Sequence, residues 1–363
     1  MSEAGYEDGI ARLRLIRTPG IGAVTYAQLI ARFGSPAAAL DAVPDLARRG
    51  GGKPPTLAAR AVIEREVEAV ERLGARYLFV GRGLYPSALA RIETAPPALI
   101  VKGVAGLLDR PMVAVVGARN ASAAAVRFAR ALCHDLAERG LVVVSGLARG
   151  IDTAAHGGAI GGGTIGVIAG GLDIFYPPEN EALQRDIAER GLLVAEQPPG
   201  IEPRARHFPY RNRIIAGLSL GTLVVEAAPR SGSLITARLA AEYGREVMAV
   251  PGSPLDSRAQ GCNMLIREGA TLVQCAADVI ESLGPLGGLV AQPERGYVAP
   301  DIASDASAAE RDAVMMLLGP VATPVDELIR QSALPPAIVQ TVLLELELAG
   351  RLERHAGGRV SLA

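Results

Sequence analysis

The sequence predicts an α/β fold, a Rossmann-like doubly wound sheet of mostly parallel strands, with a small helical domain before it and a winged helix after it. Three observations carry this. From Pro111 onward, short apolar runs rich in β-branched residues alternate with helical segments, the pattern of a parallel sheet covered on both faces. The residues from about 8 to 90 read as helical instead. Beyond residue 308 come three helical segments and a strand-like hairpin, the outline of a winged helix. A chain of 363 residues exceeds a typical single domain. The expected organisation is a helix-hairpin-helix or SAM-like domain at 1–95, a Rossmann-like domain at 96–284, a linker at 285–308 and a winged-helix domain at 309–363.

Taken in order, helical periodicity covers 10–16, 24–33 and 57–73. Thr18-Pro19-Gly20-Ile21-Gly22 between the first two reads either as a helix-hairpin-helix turn, whose glycines bring backbone N–H groups close to a phosphate, or as a plain tight turn. Strands are expected at 112–116, 141–144, 164–168, 192–195, 221–225, 246–250 and 271–273, and helices at 123–139, 153–159, 179–190 and 233–243. Ligands of such sheets sit beyond the carboxyl ends of the strands. The loops to inspect are therefore 117–122, 145–152, 170–176, 196–213, 226–233 and 251–261. The tail predicts helices at 309–318, 325–331 and 335–349, then a strand-like Arg-Val-Ser-Leu. Its third helix carries Glu345 and Glu347, and no Lys or Arg stands between Gln331 and Gly350. A DNA recognition helix is basic or neutral on its exposed face, so this module is expected to contact protein, or DNA only weakly.

The bulk properties exclude several classes. No apolar run reaches the ~18 residues of a membrane span, and the acidic start lacks the regions of a signal peptide; a cytoplasmic location is expected. Cys133, Cys262 and Cys275 are odd in number and far apart, which fits reduced, buried thiols better than a disulfide framework. The four histidines make no pair at metal spacing, and neither a metal nor a cofactor is expected. Lys53 and Lys102 are the only lysines, and neither stands in a Walker A context. A literal GxGxxG at Gly161, Gly163 and Gly166 precedes a strand where the dinucleotide motif must follow one. Gly217-x-Ser219-x-Gly221 fails as a nucleophile elbow for the same reason.

The most informative stretch is 203–219, with Arg204, Arg206, His207, Phe208, Tyr210, Arg211 and Arg213 and no acidic residue, in a chain of net charge −1. Arginine forks suit phosphates, and an interleaved aromatic ring offers a face on which a base stacks. That combination points to single-stranded nucleic acid. The competing reading makes Arg211 and Arg213 structural, paired with Glu196 or Glu226, with Phe208 in the core. Three loops add anion-friendly groups: Gly117 and Arg119 with Ser122 as a helix cap; Gly146 and Gly150 with Asp152 as a cap; and Ser231-Gly232-Ser233 at another helix start. Asp152 and His156 stand one helical turn apart, either an acid/base pair or a cap beside a helix-surface or half-buried histidine.

Together the segments VAVVGARNAS, SGLARGIDTAAH, GGLDIFYPPEN, HFPYRNRIIAGLS, VVEAAPRSGSLITA, VMAVPGSP and GCNMLIREGA resemble the DprA/Smf family of bacterial DNA-processing proteins. The resemblance implies a protein without catalytic turnover that binds incoming single-stranded DNA, protects it and loads a RecA-type recombinase in natural transformation. By motif, the implied DNA contacts are Gly117, Arg119, Phe208, Arg211, Arg213, Ser231, Gly232 and Ser233. Arg206 and His207 stand where family members often use lysine. A homodimer through the Rossmann-like domain is implied too, with Met264, Leu265, Ile266 and Leu272 as apolar candidates. The alternative is a nucleotide-binding Rossmann-like enzyme that cleaves the N-glycosidic bond of nucleoside monophosphates. Such enzymes carry a PGGxGTxxE signature, and the counterpart here, APRSGSLITA, has no Glu at the corresponding end.

Overall fold

The computed structural model describes residues 3–284, 305–355 and 357–363. The chain divides into two compact units, Met1–Arg65 with Tyr297–Ala363, and Glu66–Gly296. In the first unit, the N-terminal part is α1 (Glu3–Arg17), α2 (Ala23–Phe33), α3 (Pro36–Arg49) and the start of α4 (Arg60–Arg72). The helix α3 lies in a segment for which periodicity makes no prediction. Its start is nonetheless well specified: Ser35 caps it by accepting from Ala38 N at 3.2 Å, and Pro36 occupies the first turn.

The second unit is built on a nine-stranded sheet. Its elements run β1 (Arg76–Phe79), α5 (Ser87–Ala90), β2 (Ala98–Gly103), β3 (Met112–Gly117), α6 (Ala123–Glu138), β4 (Val142–Ser145), α7 (Ile151–Ala159), β5 (Thr164–Ile168), α8 (Glu181–Arg190) and β6 (Leu192–Ala195). They continue with α9 (His207–Leu218), β7 (Gly221–Val225), α10 (Gly232–Glu242), β8 (Glu246–Ala249), α11 (Gln260–Arg267), β9 (Thr271–Leu272) and α12 (Ala276–Leu283). The strand order is β1-β2-β6-β5-β4-β3-β7-β8-β9. The seven strands from β6 to β9 are parallel neighbours, while β2 joins β6, and β1 joins β2, antiparallel.

All seven strands that the sequence predicts form. The strands β1 and β2 are additional, and β1 replaces helix within 8–90. It is a short edge strand with one buried side chain, Leu78, so its alternation is too weak to be read. The strand β3 shows why the sheet forms. Val113 and Val115 enter the core on one face, and Ala114 and Val116 the core on the other, so a continuous apolar run is fully buried at ~1.5–3 kcal/mol for each valine. Cys133 and Cys262 are buried as free thiols, but Cys275 is exposed, against expectation, because it occupies the cap of α12 at the surface.

The tail forms α13 (Ala308–Leu317), β10 (Thr323–Pro324), α14 (Val325–Ser332), α15 (Pro336–Leu348), β11 (Leu352–His355) and β12 (Arg359–Leu362). The three strands pair antiparallel in the order β10-β12-β11. This is the winged helix. Most of the proposed linker 285–308, namely 285–304, lies outside the described residues.

Candidate nucleic-acid interface

The order of the parallel strands reverses at β3, which leads to β4 on one side and is flanked by β7 on the other. The carboxyl end of such a switch point is where doubly wound sheets bind ligands. The loops after β3 and β7 are tied together there: Glu226 accepts from Ser122 N at 2.8 Å and from Ser122 Oγ at 2.5 Å. Glu226 holds this position with φ of 51°, and Leu147 after β4 has φ of 55°. Left-handed backbone in non-glycine residues costs energy and concentrates at functional sites.

Two cavities open along this edge. One, of about 410 Å³, is lined by Arg119, Gly146, Arg149, Tyr176, Phe208 and Arg211 among others. The second, of about 590 Å³, shares Arg119, Phe208 and Arg211 and adds Gly117, Arg230, Ser231, Gly232, Ser233 and Arg258. Phe208 stands in both walls. The Arg119 guanidinium carbon lies 5.4 Å from its ring centroid and that of Arg211 6.0 Å, while Tyr176 packs against it at 5.8 Å between centroids. A half-buried ring with two cations within about 6 Å of its centroid combines a stacking surface with positive charge.

The stretch predicted as loop at 196–213 is helical from His207, the start of α9. Its arginines share a local concentration of positive charge, which the sequence displays, but the helix sorts them. Phe208, Arg211 and Asn212, three and four residues apart, share the face that lines the second cavity. Arg213, two positions on, turns the other way: it is buried, pairs with Glu196 at 2.5 Å, and stands 5.7 Å from the Tyr210 ring centroid. Arg213 thus pairs with Glu196, as the competing reading expects, whereas Arg211 lines both cavities.

Arg211 is itself buried, and its Nε has no hydrogen-bond partner. It fits because Gly146 faces it; a Cβ there would stand 1.3 Å from Arg211 Nη1. Burial lowers its pKa and raises that of Asp152, and the attraction between the two opposes both shifts. Asp152 does not cap α7, whose N-cap is Gly150. Its carboxylate turns back into the β4 loop and accepts from Gly146 N at 3.2 Å and Ala148 N at 3.3 Å. Nor does it pair with His156, which is fully buried and shares a 2.7 Å hydrogen bond with Thr164 Oγ1. Burial holds the His156 imidazole down to about 3, so it is neutral.

The remaining predicted residues divide similarly. Ser231 caps α10, sharing a 2.7 Å hydroxyl contact with Ser233, beside the exposed Gly232. Arg206 is exposed at the start of α9 and lies outside both cavity walls. His207 is buried, and its Nδ1 accepts from Arg204 N at 3.3 Å. Burial, with Arg206 and Arg204 alongside, holds its pKa below the usual range. Of the dimer candidates, Met264 and Leu272 are exposed, whereas Leu265 and Ile266 pack on the core. Tyr176, Arg149, Arg230 and Arg258 enter the cavity walls without having been singled out by sequence. Tyr176 was legible as the end of the 170–176 loop, but nothing in sequence places it beside Phe208.

Residues 76–284 match the family described as DNA recombination-mediator protein A, 6–69 its DprA-like N-terminal HHH domain, and 298–358 the DprA winged helix domain. The chain is 51% identical over 198 residues to the DNA processing protein DprA of Streptococcus pneumoniae, covering 54% of this chain and 70% of the relative. The X-ray structure of DNA processing protein A from Streptococcus pneumoniae superposes with a TM-score of 0.58 at 42% identity, over 68% of this chain and 81% of that one. DNA processing protein A from Helicobacter pylori, solved in a study of its single-stranded DNA binding mode, gives 0.53 at 30% identity, over 57% of this chain and 95% of that one. The chain therefore belongs to the DNA recombination-mediator protein A family.

Proposed function

We propose that this chain binds single-stranded DNA along the carboxyl edge of its sheet, protects it and delivers it to a RecA-type recombinase, acting in the cytoplasm and without turnover. The observation that carries the reading is the convergence of Arg119, Arg211 and the Phe208 ring on the two cavities at the carboxyl edge. Both guanidiniums line the cavities, where a phosphate oxygen is a matching acceptor. Phe208 and Tyr176 then take bases, while Arg119 and the Ser231–Ser233 turn at the α10 N-terminus take neighbouring phosphates. Contacts of this kind carry little base information, so sequence preference is slight. No helix among the described residues is long and apolar enough to cross a membrane.

The same reading assigns the homodimer contact to Met264 and Leu272, since Leu265 and Ile266 are occupied by the core. Sedimentation velocity on Met264→Glu tests this: a monomer is expected, and an unchanged dimer contradicts the assignment. The nucleoside monophosphate hydrolase alternative requires a free carboxylate in the site. Asp152 is the acidic residue among those lining the two edge cavities, and its Oδ2 accepts from two backbone N–H groups.

The test is fluorescence anisotropy of the full chain with a labelled single strand and its duplex across a salt series. Preference for the single strand is expected, with log K falling linearly in log salt at about 0.7 per neutralised phosphate. Equal or absent binding contradicts the proposal, and release of ribose phosphate from nucleoside monophosphates would favour the alternative.

A further inference from the structure

In a DNA-reading winged helix, the third helix enters the groove and must keep a solvent-facing side. Here α15 has little such side. Nine of its thirteen residues are buried, and they run round most of the helix, the mark of a segment packed from several directions. Val339, Val342, Leu343 and Leu346 belong to the winged-helix core. Leu344 and Leu348, also buried, lie in register with Gln340 at four-residue spacing. Gln340 Oε1 accepts from Gln28 Nε2 of α2 at 2.9 Å.

The approach continues past the end of α3. A Cβ on Gly50 would stand 2.1 Å from the Glu345 carbonyl oxygen, and one on Gly52 2.2 Å from that of Ala349. The backbones meet directly. Two arginines at and beside β11 are engaged in the same seam. Arg351 donates to the Gly50 carbonyl at 3.1 Å. Arg354 pairs with Glu347 at 2.7 Å and donates to Gln28 Oε1 at 3.4 Å. Arg32 and Arg49, from α2 and α3, both pair with Asp305, just ahead of α13.

We propose that the winged helix is an internal clasp: α15 binds the chain's own α2–α3 hairpin in place of a DNA groove. Residues 1–65 and 305–363 consequently open as one unit, and the tail adds no affinity for duplex DNA.

Hydrogen exchange followed by mass spectrometry on the full chain tests this. In the parent, protection of α1–α3 and of α13–α15 should be lost together along a denaturant series, as one cooperative unit. Gly50 has φ of −71°, which valine tolerates, so Gly50→Val acts by sterics and should speed exchange at least tenfold in both segments while β3–β8 keep parental rates. Arg351→Ala, a milder lesion, should do the same to a smaller degree. Loss of protection at separate denaturant concentrations in the parent, or acceleration confined to one segment in the variants, overturns the clasp. Duplex affinity of Arg354→Ala should stay within twofold of the parent, and a tenfold fall would show that the wing reads DNA.

Discussion

Arginines at the carboxyl edge of the sheet and arginines in the winged helix are the same residue type in opposite situations. In the winged helix, Arg311 holds Glu345 through Nε at 2.7 Å and Nη2 at 2.9 Å, with Glu345 fully buried. Arg354 is likewise matched by Glu347. At the sheet edge, Arg119, Arg211 and Arg230 have no ion pair within 4.0 Å among the described residues, and Arg211 is buried even so. Paired arginines complete a structure. Arg149 and Arg258 in the same walls pair with Glu179 and Asp256, and Arg211 is balanced through space by Asp152, so Arg119 and Arg230 are the edge cations with most charge left for an outside anion.

Substitutions that affect one class and spare the other sharpen this contrast. The largest effect is expected from Arg311→Ala, which strands the buried Glu345 charge and should cost about 3–5 kcal/mol of tail stability with no change in single-strand affinity. Denaturant unfolding alongside anisotropy reads both quantities. Arg211→Ala should reverse the pattern, weakening single-strand binding by about 1.5–3 kcal/mol. Gly146→Val should reproduce that loss by displacing the guanidinium, and parental affinity in both would break the comparison. Phe208→Ala removes a stacking face and should cost ~1–3 kcal/mol of binding, with a salt slope equal to the parent's because no charge is lost.

The smallest effect concerns pH. Folding lowers the His156 pKa, so below the unfolded value of about 6.5 the unfolded chain binds a proton that the folded chain does not. Stability from this group is complete above that pH and falls as the pH drops toward the folded value. In His156→Gln the dependence of unfolding free energy on pH between about 4 and 6 should flatten by about 1 kcal/mol per pH unit. An unchanged slope would mean that His156 is not held neutral.

The sheet was legible because its strands are buried on both faces, so apolar runs such as Val113–Val116 announce themselves. Strands at the edge, such as β1 with Leu78 alone buried, leave no such trace. The site was legible as a set of loops and as a basic stretch, since strand ends, glycines and arginines are properties of sequence. What sequence could not give was the division within that stretch. Once α9 begins at His207, helical geometry sends Arg211 toward Phe208 and Arg213 toward Glu196. Tyr176 reaches Phe208 from a different strand end, a tertiary contact that no local pattern encodes. The clasp was not legible in this way: Glu345, read as acid on an exposed face, is buried against Arg311, and the partner of α15 some 300 residues earlier could be found only in the fold.

The central claim is that single-stranded DNA lies against Phe208 at the sheet edge. Photocrosslinking of a single strand carrying 5-bromodeoxyuridine, followed by peptide mapping of the full chain, tests it most directly. Adducts on Phe208 or Tyr176 that disappear in Arg211→Ala are the predicted result. Adducts confined to residues 1–65 or 305–363, with none on the sheet unit, would contradict it.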